Sequence, residues 1–98
     1  MITSTANKQI KELTQLIKKS KARREERVFV VEGIRMFVEA PKEQVQAVYA
    51  SESFLKDPEH MACLQGYDYE EVSDSVFASV SDTKTPQGIL CVVRMPEY

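Results

Sequence analysis

The clearest structural signal in the sequence is Val28-Phe29-Val30-Val31-Glu32-Gly33-Ile34-Arg35. Its first four residues are β-branched or aromatic and show no polar alternation, which is typical of a central strand covered on both faces. Gly33 permits a tight turn, and from Ile34 the apolar positions recur at helical spacing until Pro41 ends the segment. The sequence therefore predicts a strand, a tight turn and a helix.

Helices are predicted on both sides of this unit. Ser4 and Thr5 offer N-cap hydroxyls, and apolar residues at helical spacing predict an amphipathic helix over residues 7–21. A charged connector over residues 22–27 then leads into the strand. Later in the chain, polar capping residues predict the starts of three short helices: Ser51, Asp57 and Ser73. The apolar positions expected to face the core in the helices after the first strand are Ile34, Phe37, Val38, Met61, Leu64, Val76, Phe77 and Val80.

Three further apolar segments complete the alternation of strands and helices. Strands are predicted over residues 45–50, 68–72 and 89–93, and the last of these reads as a buried strand. Strands that alternate with helices indicate an α/β fold. We expect a three-layer α/β/α sandwich with a small four-stranded mixed sheet and four or five helices.

The composition bounds the class of protein. A chain of 98 residues with 43% hydrophobic and 29% charged residues is foldable and has room for one core. The longest apolar run is four residues, far below the roughly 20 of a membrane-spanning helix, so we expect no membrane partner and a cytoplasmic location. Cys63, Cys91 and His60 are not spaced as metal ligands, and we expect core or near-core thiols and no structural metal.

The charge is distributed unevenly along the chain. Residues 1–42 hold 10 basic and 5 acidic residues, a net +5, whereas residues 43–98 hold 3 and 10, a net −7. The densest basic stretch is Lys18-Lys19-Ser20-Lys21-Ala22-Arg23-Arg24. Because salt screens charges beyond about 8–10 Å, such a stretch attracts phosphates even on an acidic protein. The alternative is an ordinary solvated helix face.

Two other segments are candidates for a binding site. At the end of the first strand, Glu32, Gly33 and Arg35 stand where ligands bind in α/β sheets. The alternative is that Gly33 serves only the turn and that Arg35 only pairs with Glu39. The polar residues 81–88 form a loop, or merely a connection to the last strand. No nucleotide-binding glycine motif and no nucleophile motif is present in the sequence.

Both segments carry a resemblance to a known family. Phe29-Val30-Val31-Glu32-Gly33-Ile34-Arg35, the basic helix before it, and Ser81-Asp82-Thr83-Lys84-Thr85-Pro86-Gln87-Gly88-Ile89 resemble the N-terminal substrate-binding domain of the SpoU/TrmH family of RNA 2′-O-ribose methyltransferases. The resemblance covers essentially the whole chain. It implies a fold similar to that of the ribosomal proteins that bind kinked RNA, and a role in holding ribosomal or transfer RNA for a separate catalytic domain.

The resemblance also implies a domain organisation. Residues 1–94 would be the RNA substrate-binding domain, and residues 95–98 the start of a linker to a catalytic domain that this sequence does not contain. That domain would bind S-adenosylmethionine and form a homodimer in the parent protein. For the 98 residues themselves we expect no catalytic residue, no cofactor and no methyl transfer.

The residues expected to bind RNA fall into three groups. Phosphate contacts are expected from the basic helix and connector: Lys18, Lys19, Lys21, Arg23, Arg24 and Arg27. Gly33 and Arg35 would approach the RNA backbone or a splayed base. Hydrogen bonds to single-stranded or bulged RNA are expected from the loop: Lys84, Thr85 and Gln87.

Two other functions remain open at this point. One is a stand-alone RNA-binding module of the ribosomal-protein type, which a stop codon directly after Tyr98 would favour. The other is a protein-interaction domain whose acidic second half, including Asp68, Glu70 and Glu71, contacts a basic partner.

Overall fold

A computed structural model describes residues 1–95, and its centre is a four-stranded mixed sheet. The strands are β1 (Val28–Glu32), β2 (Val45–Ser51), β3 (Glu70–Val72) and β4 (Ile89–Arg94). They lie in the order β1-β4-β2-β3, with β4 antiparallel to β1 and to β2, and with β2 parallel to β3. The four predicted strands are confirmed, although β3 begins at Glu70 and not at residue 68.

Helices cover both faces of the sheet. They are α1 (Lys8–Lys18), α2 (Ser20–Glu26), α3 (Ile34–Glu39), α4 (Glu52–Leu55), α5 (Pro58–Cys63) and α6 (Asp74–Val80), with one 3₁₀ turn at Lys42–Gln44. In β4, Leu90 and Val92 pack with α1 and α6, whereas Ile89, Cys91 and Val93 pack with α3 and α4 on the other face. This alternation of side chains across the strand produces two cores and confirms the predicted three-layer sandwich.

Three of the predicted helix starts are confirmed by their N-caps. The Ser51 hydroxyl accepts from Phe54 N, the Asp57 carboxylate from Glu59 N, and the Ser73 hydroxyl from Val76 N. The start of α1 is different from the prediction. Asn7 caps it by accepting from the amides of residues 9 and 10, whereas the Ser4 hydroxyl accepts from the Ala6 amide within a turn before the helix.

The single helix predicted over residues 7–21 is wrong, and so is the connector over 22–27. The chain leaves the helical conformation at Lys19, which has an extended backbone with φ −119° and ψ 112°. A second helix, α2, then takes up most of the charged segment and ends at Arg27 in the left-handed conformation. The basic residues therefore lie on two helices that meet at a corner.

Strand β1 is an edge strand, which corrects the prediction of a central one. The bonds from Gly33 N to Ile89 O and from Met95 N to Arg27 O show that the odd-numbered residues pair with β4. The backbone groups of Val28, Val30 and Glu32 therefore point to the outer edge, where no strand of residues 1–95 pairs with them. The apolar run predicts a central strand because α1, α2 and α3 pack on β1, even though its outer edge pairs with no other strand of residues 1–95.

Two side chains expected in the core are exposed. Val38 is 59% exposed because it lies about 100° around α3 from Phe37, the buried residue of that helix. Met61 on α5 is 40% exposed, and the buried residue at this point of the chain is Leu64, directly after the helix. Cys63 is half-buried and Cys91 fully buried, and burial raises the pKa of the Cys91 thiol to about 12.

The ends of the chain add two observations. Ile2 bridges to Val72 and so borders β3. The linker predicted over residues 95–98 lies outside the described residues except for Met95. Within residues 1–95, no helix has the length and apolar character needed to cross a membrane.

Candidate nucleic-acid interface

The two sequence motifs meet at one end of the sheet. Here β1 ends and β4 begins, because the two strands are antiparallel neighbours. The loop over residues 81–88 is fixed at both of its ends. The Ser81 hydroxyl donates to the Glu32 carboxylate, and Gly88 O accepts from Ser51 N at 2.8 Å. The loop is therefore anchored to β1 on one side and to the end of β2 on the other.

Gln87 joins the loop to the turn at Gly33. Its Oε1 accepts from Ile34 N at 2.8 Å, which satisfies a donor in the first turn of α3 that has no partner within the helix. Because an amide N–H needs an acceptor, this bond fixes the orientation of the Gln87 amide and leaves its NH₂ group for another partner. Gln87 was predicted to bind RNA, and the structure gives it an additional anchoring function.

Gly33 is suited to this contact by its missing side chain. Its φ of 100° lies in the region that favours glycine, and a Cβ at this position would come within 3.3 Å of Gln87 Oε1. The prediction that Gly33 serves the turn therefore has a structural basis, and the same geometry lets the loop approach the strand end.

The tip of the loop is exposed and held by short-range hydrogen bonds. Thr83 N donates to the Ser81 hydroxyl at 3.3 Å, and Thr85 N donates to the Thr83 hydroxyl at 3.0 Å. Such side-chain turns shape a loop without a surrounding core. Lys84 is exposed at the tip beside these turns, so its ammonium group is accessible to a partner.

The cations predicted to bind RNA differ in what they contact. Lys21 lies 3.8 Å from Glu25, and Arg35 lies 3.6 Å from Glu39, as the alternative for Arg35 predicted. Both pairs are on the surface, where ion pairs are weak and exchange readily with other partners. The predicted cations that are exposed and form no salt bridge within residues 1–95 are Lys18, Lys19, Arg24, Arg27 and Lys84.

Arg23 holds the corner between α1 and α2. Its Nη1 donates to Leu16 O at 2.7 Å and to Ile17 O at 2.9 Å, so it satisfies two carbonyls in the last turn of α1. A cation at a helix C-terminus also interacts favourably with the helix dipole. Arg23 therefore has a structural function in addition to the phosphate contact predicted for it.

Changing Arg23 to alanine should lower the free energy of unfolding by about 2 kcal/mol, because two half-buried carbonyls lose a charged donor. Chemical denaturation in urea measures this change. Arg24→Ala is the matched control on the same helix and should change the stability by less than about 0.5 kcal/mol. Equal effects of the two variants would contradict the structural function of Arg23.

The charges separate across the molecule as well as along the chain. Both α1 and α2 pack against β1, so the basic stretch lies near that edge of the sheet. The exposed acidic residues Asp68, Glu70 and Glu71 lie at or just before β3, the other edge strand. Burial, with Glu70 and then Glu12 nearby, raises the pKa of Tyr49 on β2. The basic side chains of α1 and α2 therefore lie near one edge of the sheet, and exposed carboxylates lie at the other.

The predicted RNA-binding residues do not form one compact cluster. Arg27 precedes β1 and Gly33 follows it, so the five-residue strand separates their Cα atoms by about 20 Å. Arg23 of α2 lines a cleft beside the middle of β1. Arg27 lies at one end, and the anchored loop with Lys84, Thr85 and Gln87 lies at the other.

A cleft of about 460 Å³ lies between the α1–α2 corner, the outer edge of β1 and the loop. We call it the β1-edge cleft. Its lining residues are Ile17, Arg23, Phe29, Val30, Glu32, Asp82 and Thr83. Of these, the sequence had singled out only Arg23 as a binding residue. The polar character of the loop is a sequence signal that could have identified Asp82 and Thr83. Ile17, Phe29 and Val30 carry no such signal, because they line the cleft only as a result of the strand order.

A small α/β/α domain with basic side chains near one sheet edge, beside an anchored polar loop, has the charge distribution that attracts anionic ligands. The sequence model of the MRM3-like substrate binding domain matches residues 7–91. The chain therefore belongs to the family of MRM3-like substrate binding domains. No curated protein sequence matches it.

Solved structures agree with this family. A structure titled RNA 2′-O ribose methyltransferase has 36% sequence identity and a TM-score of 0.77, over 98% of this chain and 38% of that one. An rRNA methyltransferase from Sinorhizobium meliloti has 18% identity and a TM-score of 0.72, over 99% of this chain and 37% of that one. The SpoU methyltransferase AviRb from Streptomyces viridochromogenes, in complex with AdoMet, has 15% identity and a TM-score of 0.68, over 92% and 34%.

The last two likenesses show the fold alone. This chain spans about two fifths or less of the length of these three structures. The resemblance to the substrate-binding domain of the SpoU/TrmH family is thus confirmed. The likeness to ribosomal proteins that bind kinked RNA stays a prediction.

Proposed function

We propose that this chain binds structured ribosomal or transfer RNA along the β1 edge of the sheet. One observation carries this proposal: the basic corner of α1 and α2 and the anchored loop over residues 81–88 border the same cleft. Phosphates need cations in a fixed arrangement, and unpaired bases need hydrogen-bonding groups close to those cations. This edge offers both kinds of group.

The basic residues and the loop have different tasks in this proposal. Lys18, Lys19 and Arg24 bind phosphates through charge, which sets affinity and orientation but reads no sequence. Lys21 and Arg35 join them when their exposed partners Glu25 and Glu39 are displaced, and Arg27 extends the surface to the far end of β1. Lys84, Thr85 and the NH₂ group of Gln87 contact RNA from the loop.

We also propose that the chain acts within a longer protein that transfers a methyl group to a ribose 2′-oxygen of RNA. Support comes from the family and from the solved structures, of which this chain spans 34–38%. The S-adenosylmethionine site and the homodimer contact would lie in another domain of that protein, in the part of the solved methyltransferases that this chain does not span. We place the protein in the cytoplasm, with its RNA substrate.

Fluorescence anisotropy at about 50 and 200 mM salt tests RNA binding by this chain. Each phosphate contact contributes a slope of about 0.7–0.9 in log affinity against log salt, so four contacts weaken binding about 50- to 150-fold between these salts. We expect a fall of this size with labelled transfer RNA and with a structured ribosomal RNA fragment. Absence of binding at both salts would contradict the proposal.

The acidic edge at β3 favours one competing function. If the chain is a protein-interaction domain, a basic partner would bind at Asp68, Glu70 and Glu71, and RNA affinity would be absent. A stand-alone RNA-binding module would give the same titration as our proposal. The stand-alone module is distinguished from our proposal by the gene, because its reading frame would stop directly after Tyr98.

A further inference from the structure

The β1-edge cleft is large enough for one nucleotide and too small for a duplex. Its volume of about 460 Å³ falls within the range of about 300–1,000 Å³ that is typical of small-molecule sites. Ile17 and Val30 lie on the same face of the sheet and supply an apolar wall against which a base can pack, whereas the Phe29 side chain packs on the other face.

Backbone groups of β1 add unused hydrogen-bonding capacity. The N–H and C=O of Val30 point to the outer edge of the strand, on the side of the cleft that Val30 lines. They have no backbone partner within residues 1–95. An adjacent donor and acceptor in a fixed direction suit the edge of a nucleobase, which also carries donors and acceptors side by side.

The charges in the cleft indicate which part of a nucleotide enters it. Glu32 and Asp82 are carboxylates, which accept hydrogen bonds and repel phosphate. The Arg23 guanidinium in the same cleft is engaged with the carbonyls of α1. The cleft therefore suits a base with N–H donors, while the phosphates on either side are left to the cations outside it.

Guanine fits this arrangement better than the other RNA bases. Its N1–H and N2–H₂ groups are neighbouring donors that match the two oxygens of one carboxylate. Glu32 is held by the Ser81 hydroxyl, whereas Asp82 is exposed at the cleft and makes no side-chain hydrogen bond within the described part of the chain. Asp82 is thus the carboxylate available for such a pair.

We propose that the β1-edge cleft binds a single guanine splayed out of the RNA, with Asp82 accepting from its N1–H and N2–H₂ groups. This inference rests on the proposed function, because the phosphates that flank the guanine must be held by the basic corner. The site adds selectivity for one base to a surface whose charge alone does not distinguish between bases.

RNA hairpins that are identical except for one bulged nucleotide test this inference. The bulge is guanosine, inosine, adenosine or uridine, and anisotropy measures each affinity for the wild-type chain at one salt concentration. We expect guanosine to bind about tenfold more tightly than adenosine or uridine, the size of one good base contact. Inosine, which lacks the N2 amine, should fall between them.

Two variants connect the selectivity to the cleft. Asp82→Asn should remove the preference for guanosine, because an amide offers one acceptor where the carboxylate offers two. Asp68→Asn makes the same change near β3, at the opposite edge, and should keep the preference. In ¹⁵N-labelled chain, the amides of Val30 and Glu32 should shift with the guanosine hairpin and much less with the uridine hairpin.

The outcomes separate this inference from the proposed function. Salt-dependent binding with equal affinity for all four hairpins would overturn the guanine site and leave RNA binding intact. An unchanged preference in Asp82→Asn would overturn the assignment to this cleft. Absence of binding to every hairpin and to the larger RNAs would overturn the proposed function and, with it, the site.

Discussion

Changing Lys18, Lys19 and Arg24 together to glutamine is expected to lower the affinity for structured RNA about 100-fold at 0.1 M salt. The three side chains are exposed and form no salt bridge within residues 1–95, so each is available to a phosphate. Each lost contact removes about 0.7 from the slope of log affinity against log salt. Three contacts remove about 2 from the slope, so the affinity at 0.1 M falls by about two log units if the two proteins bind equally at about 1 M salt. Anisotropy at several salt concentrations measures both quantities.

A charge-matched variant separates local binding from net charge. Changing Lys8, Lys42 and Lys56 to glutamine removes the same three charges at exposed positions outside α2, the last turn of α1 and the cleft that Lys18 lines. We expect its affinity to fall less than about fivefold and its salt slope to remain close to that of the wild type. Equal losses in both variants would mean that RNA responds to overall charge and has no defined surface here.

Gly88→Ala is expected to lower the free energy of unfolding by about 3 kcal/mol. Gly88 has a φ of 97°, which an L side chain rarely adopts, and it is buried at the end of the loop. A Cβ here would lie 2.9 Å from the Phe54 Cβ and even closer to the Ser51 hydroxyl. Because that hydroxyl caps α4, relief of the overlap would disturb the cap as well as the core. Urea denaturation measures the loss.

Gly66→Ala separates backbone strain from steric overlap in this measurement. Gly66 also has a positive φ, of 87°, but its Cβ would meet only the flexible end of the Lys42 side chain. The variant should cost about 1 kcal/mol, the strain alone. If the two glycine variants lose the same stability, the close packing of the loop end against Ser51 and Phe54 is not important for the fold.

The elements of the fold could be predicted because their signals are local. Four residues of β-branched or aromatic character mark β1. Ser51, Asp57 and Ser73 cap their helices through bonds to residues two or three positions later. Strand order is different, because it depends on pairing between distant segments. The apolar run of β1 is that of a strand with both faces covered, and such coverage does not distinguish an edge strand from a central one.

The break between α1 and α2 could not be predicted from local propensity. Lysine, alanine and arginine all favour a helix, so the sequence around Lys19 reads as continuous. The corner is held instead by Arg23, which reaches back to the carbonyls of Leu16 and Ile17. A side chain that spans six or seven positions in this way leaves no periodic signal.

The candidate site illustrates the same limit. The two motifs are distant in the sequence, and there only their resemblance to one family links them. The bonds that join them connect Ile34 to Gln87 and Glu32 to Ser81, residues about 50 positions apart in the chain. The basic residues were identified from charge density, but their place beside β1 follows from the order of the strands.

Mapping of RNA contacts by NMR tests the proposed interface most directly. Amide shifts of ¹⁵N-labelled chain are recorded as structured RNA is added at low salt. We predict that the largest shifts lie at residues 18–24 and 82–87, on the two sides of the β1-edge cleft, and that residues 68–71 at the β3 edge change little. Shifts concentrated at residues 68–71, or spread evenly over the surface, would contradict an RNA-binding edge beside β1.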